Sequence, residues 1–162
     1  MARVNEIRYV GYGVSDLAAE RAFYRDVWKL REVGTQDDMV YFACEGHNEH
    51  HVVRLRQAEQ QRIDVIALAA ADRADVDALH DKVVAAGCKI IFDPQELQAL
   101  GGGYGFRFFS PDGLPFEVSS DVARGPSRPR CRRRRSWRGF ACSAASSAST
   151  PYWRGPTRPS CA

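Results

Sequence analysis

The chain has 162 residues, which is within the usual range of a single domain, and its formal net charge is +3. That charge is divided very unevenly. Residues 1–123 carry 13 Lys and Arg against 20 Asp and Glu, a net charge of −7, whereas residues 124–162 carry 10 Arg and no acid. No apolar run approaches the roughly 20 residues of a membrane span, and no signal peptide precedes the first predicted strand. We therefore expect a cytoplasmic protein with no membrane partner.

Residues 123–162 form a segment rich in Arg, Ser and Pro. From residue 124 onward it contains no Val, Ile, Leu or Met, so it cannot bury enough apolar surface to offset the entropy of ordering. An arginine-rich, lysine-free stretch is also what a GC-rich gene yields when it is read out of frame. We interpret the segment as a disordered basic tail or a frameshift product. If genuine, it would bind nucleic acid only through non-specific, salt-sensitive contacts.

The first elements in chain order are a strand and a helix. Residues 7–14 (IRYVGYGV) predict a strand, and Ser15-Asp16 is an N-cap signal. Residues 17–30 carry an apolar stripe at helical spacing. Three short strands are then predicted at 31–35, 39–44 and 51–56, separated by polar turns.

The same order then repeats. A strand is predicted over 63–70, Asp72 is the next N-cap signal, and a helix follows over 75–86. Three strands are again predicted, at 89–92, 105–109 and 116–119. Asp72 stands 56 residues after Asp16, which makes the repeat an internal period.

This period predicts an α+β fold built from two βαβββ modules. The modules span about residues 5–57 and 62–120, and together they form one domain over residues 1–122.

Two motifs carry a resemblance to a known family. Residues 10–17 (VGYGVSDL), followed by 21–24 (RAFY), and later residues 108–118 (FFSPDGLPFEV) resemble the vicinal oxygen chelate superfamily. That group includes glyoxalase I, bleomycin-resistance proteins and the type I extradiol ring-cleavage dioxygenases. The resemblance covers about residues 5–122, and it is most similar to the N-terminal domain of an extradiol dioxygenase.

The resemblance implies a glyoxalase-like domain whose two modules enclose a cup, with metal ligands on the first and last strands of each module. The matching positions here are Tyr9, Arg54, Val65 and Glu117. Only Glu117 is an ordinary ligand, because valine cannot coordinate, arginine is a fixed cation, and a tyrosine has an unperturbed pKa of about 10. The family's catalytic domain is expected to hold Fe(II) or Mn(II) with two histidines and a carboxylate. For this chain the resemblance implies no catalytic residue, no complete metal site and no bound cofactor.

The leading functional hypothesis is the N-terminal domain of an extradiol (meta-cleavage) catechol-type dioxygenase of aromatic compound degradation, inactive alone. The chain would then form a homo-oligomer or pack on a second domain that it does not contain. The alternative is a metal-free small-molecule-binding protein of the glyoxalase/bleomycin-resistance type. A third reading is a single-cup metalloenzyme with unusual ligands such as His51 and Glu117.

Several side chains are candidates for the cup lining. These candidates are Tyr9, Tyr12, Arg54, Tyr104, Phe106, Phe108 and Glu117. The aromatic members could line a pocket for a small aromatic ligand, although packing in the core is the favoured alternative. His50 and His51 are adjacent on a predicted strand, so they are expected to point to opposite faces.

Overall fold

The structure is a computed structural model that describes residues 2–125. The interpretation of the basic tail therefore lies almost wholly outside the described residues. The elements in chain order are β1 (Glu6–Val14), α1 (Leu17–Asp26), β2 (Arg31–Gln36), β3 (Met39–Ala43), β4 (Val53–Gln57), β5 (Arg62–Ala69), α2 (Arg73–Ala85), β6 (Ile90–Glu96), β7 (Tyr104–Phe109) and β8 (Pro115–Ser120). This order is βαβββ repeated twice, and it confirms the predicted α+β fold.

Both helices begin at the predicted aspartates. The Asp16 carboxylate accepts a hydrogen bond from the amide of Ala19 at 2.9 Å, and Asp72 accepts one from the amide of Asp75 at 2.8 Å. These bonds satisfy amides that have no partner inside the helix. After α2 the chain turns at Gly87, whose φ of +74° favours glycine at this position.

Within residues 2–125, eight strands form one sheet in the order β2-β3-β4-β1-β5-β8-β7-β6. The first strands of the two modules, β1 and β5, pair antiparallel at the centre. Each of them also pairs in parallel with the last strand of its own module. The four positions suggested by the resemblance therefore fall on the four central strands.

The sheet ends come together on one side of the domain. Gln36 in β2 donates from Nε2 to the carbonyl of Gln98, in the loop that follows β6, at 2.9 Å. Strand β6 extends past its predicted end at Phe92 to Glu96 and includes Pro94. It is an edge strand, and proline is tolerated there because the missing amide is not needed for a second neighbour.

The two helices cover one face of this sheet, and we call the opposite face the cup. Helix α1 packs on a cluster formed by Val14, Val40, Phe42, Val53 and Leu55. Helix α2 packs through Val76 on Phe106 and Val118. Within residues 2–125, neither helix is long and apolar enough to cross a membrane.

Candidate functional site

The centre of the cup is a row of residues on three neighbouring strands. Gly11 in β1 pairs with Arg54 in β4 on one side and with Val65 in β5 on the other. A Cβ at Gly11 would lie 2.8 Å from Val65 Cγ1 and 3.2 Å from Arg54 Nε. Gly11 therefore leaves the space that the Arg54 guanidinium occupies. Its role was missed because a glycine in a strand only suggests a close approach, without naming the neighbour.

A second row is built around a buried carboxylate. Glu117, in β8, is 1% exposed. Its Oε1 accepts a hydrogen bond from the Tyr9 hydroxyl at 2.9 Å. Its Oε2 accepts from Nε of Arg107 at 2.7 Å, and Nη2 of the same guanidinium lies 2.7 Å away. Arg107 supplies the counter-charge that a buried carboxylate needs.

The hydroxyl of Tyr9 is held in its protonated form. Burial of the ring raises the pKa of Tyr9 well above its usual value, and the negative charge of Glu117 raises it further. Although burial works to lower the pKa of Arg107, the negative charge of Glu117 and the hydrogen bond to it raise that pKa on balance. At neutral pH the cluster therefore contains a neutral phenol, a carboxylate and a guanidinium.

This arrangement does not fit a divalent metal ion. Arg54 is 6% exposed, and its Cζ lies 5.6 Å from the centre of the Tyr9 ring, so it places a fixed positive charge beside the cluster. Val65 offers no donor atom, and both oxygens of Glu117 already accept hydrogen bonds. The structure brings all four positions to the central strands. Their correspondence to the family's metal ligands remains a prediction from the resemblance.

The four additional aromatic candidates for the cup lining lie on the other face of the sheet, where the favoured alternative, packing in the core, places them. Tyr12 packs on the cluster beneath α1. Tyr104 donates to Asp77 of α2 at 2.9 Å, and Phe106 and Phe108 stack in the cluster beneath α2. Packing in the core is thus the correct alternative.

Strand alternation explains this result. Phe106 and Phe108 face the helix, so Arg107 between them faces the cup. The same alternation could have identified Arg107 from the sequence once one of its neighbours had been assigned to the helix face.

The two adjacent histidines also differ from expectation. Strand β4 begins at Val53, so His50 and His51 lie in the bend before it, where strand alternation does not apply. Their Nδ1 atoms are 3.2 Å apart. The pKa of His51 is lowered to about 3, chiefly by burial and to a smaller extent by the nearby His50 and Arg54. His51 is therefore neutral at pH 7.

The third reading, a metal site joining His51 and Glu117, is not supported by this geometry. The Tyr9 ring centroid lies 4.3 Å from that of His51, and the Tyr9 hydroxyl is bonded to Glu117. The Tyr9 side chain therefore lies between the imidazole and the carboxylate.

Two cavities open into the cup, of about 650 and 440 Å³. Three arginines, Arg54, Arg56 and Arg107, line both of them. Arg56 forms an ion pair with Asp64 at 2.8 Å, and Arg62 approaches the same carboxylate at 2.8 Å. The larger cavity has apolar walls formed by Ile63, Ile91, Phe109, Leu114 and Pro115. The larger cavity of the cup is therefore lined by both arginines and apolar side chains.

Sequence comparison relates the chain to dioxygenases. It is 32% identical over 114 residues to the manganese-dependent 2,3-dihydroxybiphenyl 1,2-dioxygenase of Geobacillus genomosp. 3, covering 70% of this chain and 35% of that protein. It is 28% identical over 130 residues to the biphenyl-2,3-diol 1,2-dioxygenase of Paraburkholderia xenovorans (strain LB400), covering 78% of this chain and 43% of that protein. The matched part of the chain thus spans less than half the length of these curated relatives.

Structure comparison gives the same picture. The Mn(II)-bound glyoxalase from Novosphingobium aromaticivorans is 61% identical, with a TM-score of 0.78 over 82% of this chain and 44% of its own. Homoprotocatechuate 2,3-dioxygenase from Arthrobacter globiformis is 25% identical, with a TM-score of 0.72 over 78% of this chain and 39% of its own. The profile of the glyoxalase/bleomycin resistance protein/dioxygenase superfamily matches residues 6–118. The chain belongs to this superfamily.

Proposed function

We propose that this domain is the non-catalytic N-terminal domain of an extradiol dioxygenase that acts in the degradation of aromatic compounds. The observation that carries the proposal is that the carboxylate of Glu117 is fully engaged by other side chains. The only ordinary metal ligand at the four positions is bonded to Tyr9 and Arg107, and the Arg54 guanidinium lies nearby. Its relatives among the dioxygenases support the parent activity.

The remaining parts of the proposal concern the whole enzyme. The domain spans residues 1–122, and a separate catalytic domain holds the Fe(II) or Mn(II) that ring cleavage requires. The manganese named for two relatives supports a metal of this kind in the parent enzyme. The lone domain would lack ring-cleaving activity, and in the intact enzyme it would pack against the catalytic domain.

An activity assay tests the first part. The purified 162-residue chain is incubated in air with 2,3-dihydroxybiphenyl and either Mn(II) or freshly reduced Fe(II), and the coloured ring-cleavage product is followed by absorbance. The manganese-dependent enzyme of Geobacillus is the positive control. We expect no product above the metal-only blank. Product that forms in proportion to the purified chain and is lost in the Glu117→Gln variant would contradict the proposal.

A domain exchange tests the second part. Residues 1–122 replace the matching segment of the Mn(II)-bound relative from Novosphingobium aromaticivorans, whose 61% identity makes a folded chimaera feasible. If the metal is held outside this segment, the chimaera keeps the parent's manganese content per chain. A folded chimaera without bound manganese would place metal ligands in the exchanged segment and refute the proposal.

The interpretation of the basic tail has its own test. Resequencing the gene from the codon of Val122 through that of Arg138 and beyond should reveal one gained or lost base. The restored frame should then encode a second glyoxalase-like domain. If the reading frame is unchanged, the interpretation of the tail as a frameshift product is refuted.

A further inference from the structure

The cup contains one arginine whose charge is not paired within the described part of the chain. Arg56 and Arg62 share Asp64, and Arg107 is bonded to Glu117. Arg54 makes no hydrogen bond or ion pair among residues 2–125. Its guanidinium lies over the face of the Tyr9 ring. Arg54 is nevertheless 94% buried, since only 6% of its surface is exposed.

A guanidinium in this position favours an anionic partner. Removing a cation from water without a counter-charge costs free energy, which a bound anion would offset. Arg54 lines both cavities, so its free donors are accessible from the cup. His51 and the phenol of Tyr9 are neutral, and the nearby carboxylate of Glu117 is already bonded to Tyr9 and Arg107.

From this geometry we infer that the cup binds a small organic carboxylate, with its carboxylate group on Arg54 and its apolar body in the larger cavity. The planar fork of a guanidinium matches the two oxygens of a carboxylate. The apolar walls Ile63, Ile91 and Phe109 lie within the same cavity of about 650 Å³, which is ample for one aromatic ring. The smaller cavity is also lined by Asp37, whose negative charge disfavours an anion there.

This inference rests on the cup alone and does not require the parent enzyme to be a dioxygenase. A metal-free cup is compatible with both the carboxylate site and the proposed function. If the experiments refute one of these two proposals, the other is unaffected. The alternative occupant is an acidic side chain of another domain, which would fill the same position only in an assembled protein.

Benzoate is the probe, with benzamide as its neutral isostere and inorganic phosphate as an anion without an apolar body. Each is titrated into the ¹⁵N-labelled 162-residue chain, and the amide shifts of Gly11 and Arg54 are followed by NMR. We expect saturable shifts with benzoate and binding at least about tenfold weaker for benzamide and phosphate, because each lacks one half of the recognition. Equal binding of benzamide or phosphate, or no shift at Gly11 with benzoate, would overturn the inference.

The Arg54→Gln variant should bind benzoate at least about tenfold more weakly. Arg62→Gln is the matched control, because Arg62 lines the same cavity but is 61% exposed and paired with Asp64. The affinity of this variant for benzoate should stay within about twofold of the wild-type value. The ten arginines after residue 123 are present in every variant, so weak binding to them cancels. If Arg54→Gln does not fold, the wild-type contrast between benzoate and benzamide at Gly11 still decides. Unchanged affinity in a folded Arg54→Gln variant would refute the site.

Discussion

The two faces of the sheet are built by alternate residues of the same strands, yet they serve different purposes. The helix face carries Phe106 and Leu55, which are fully buried among apolar neighbours. The cup face carries Arg54, Arg107 and Glu117, which are charged and largely removed from water. Apolar packing on one face stabilises the fold, and that stability allows costly charged groups to be held on the other. The predictions below test this division, from the largest expected effect to the smallest.

The Phe106→Ala variant should show the largest loss of stability. Phe106 is fully buried beneath α2, so its truncation leaves a cavity and should lower the free energy of unfolding by about 3–5 kcal/mol. Urea unfolding followed by circular dichroism measures the change. Phe23→Ala is the matched control, because Phe23 is 41% exposed on α1 and should lose clearly less. Similar losses for both would mean that the helix face is not where stability resides.

The Glu117→Gln variant tests the charged face. It leaves the Arg107 guanidinium without its counter-charge, which should cost about 2–4 kcal/mol in the same unfolding experiment. Glu59→Gln changes an exposed glutamate in the same way and should shift stability by less than about 0.5 kcal/mol. A Glu117→Gln protein as stable as the wild type would show that the carboxylate is not required to balance Arg107.

The pH dependence of stability isolates His51. Its pKa is about 3 in the folded chain and about 6.5 when unfolded, so between these values only the unfolded chain binds the proton. The free energy of unfolding should therefore fall as pH is lowered from 6 to 4, by up to about 1.4 kcal/mol per pH unit from this residue. The His51→Gln variant should lose this part of the dependence, while His47→Gln, in an exposed turn, should retain it. Parallel curves for wild type and His51→Gln would contradict the buried, neutral imidazole.

The smallest expected effect concerns the helix that covers the second module. Asp72→Ala removes the hydrogen bond to the amide of Asp75 and should cost about 1 kcal/mol, measured by thermal or urea unfolding. Asp72→Asn keeps an acceptor at the N-cap and should recover most of that loss. An alanine variant with wild-type stability would show that the cap contributes little here.

Local signals in the sequence predicted the elements well, and the contrast between the faces explains what they missed. Each N-cap aspartate bonds to an amide three residues later, and the 56-residue period is the recurrence of that local pattern, so both helices and the module order follow from them. Periodicity shows which side chains of a strand share a face. It does not show whether that face is the one that the helices cover. Tyr104, Phe106 and Phe108 were therefore compatible with either face until α2 was placed.

The cup required information that spans the chain. The bond between Tyr9 and Glu117 joins residues 108 positions apart, and the family resemblance predicted only that both residues lie in the cup, without the bond between them. The imidazole nitrogens of His50 and His51 lie close together because the two residues are in a bend and β4 begins only at Val53. The strand pattern in the sequence did not indicate this bend.

The central claim is that the charges of this cup are arranged without a metal ion. Electron paramagnetic resonance of Mn(II) titrated into the purified chain at pH 7 tests it most directly, because free and protein-bound manganese give different signals. The account predicts no stoichiometric binding that depends on Glu117, so wild type and Glu117→Gln should give the same titration. One bound manganese per wild-type chain, lost in Glu117→Gln, would contradict the account.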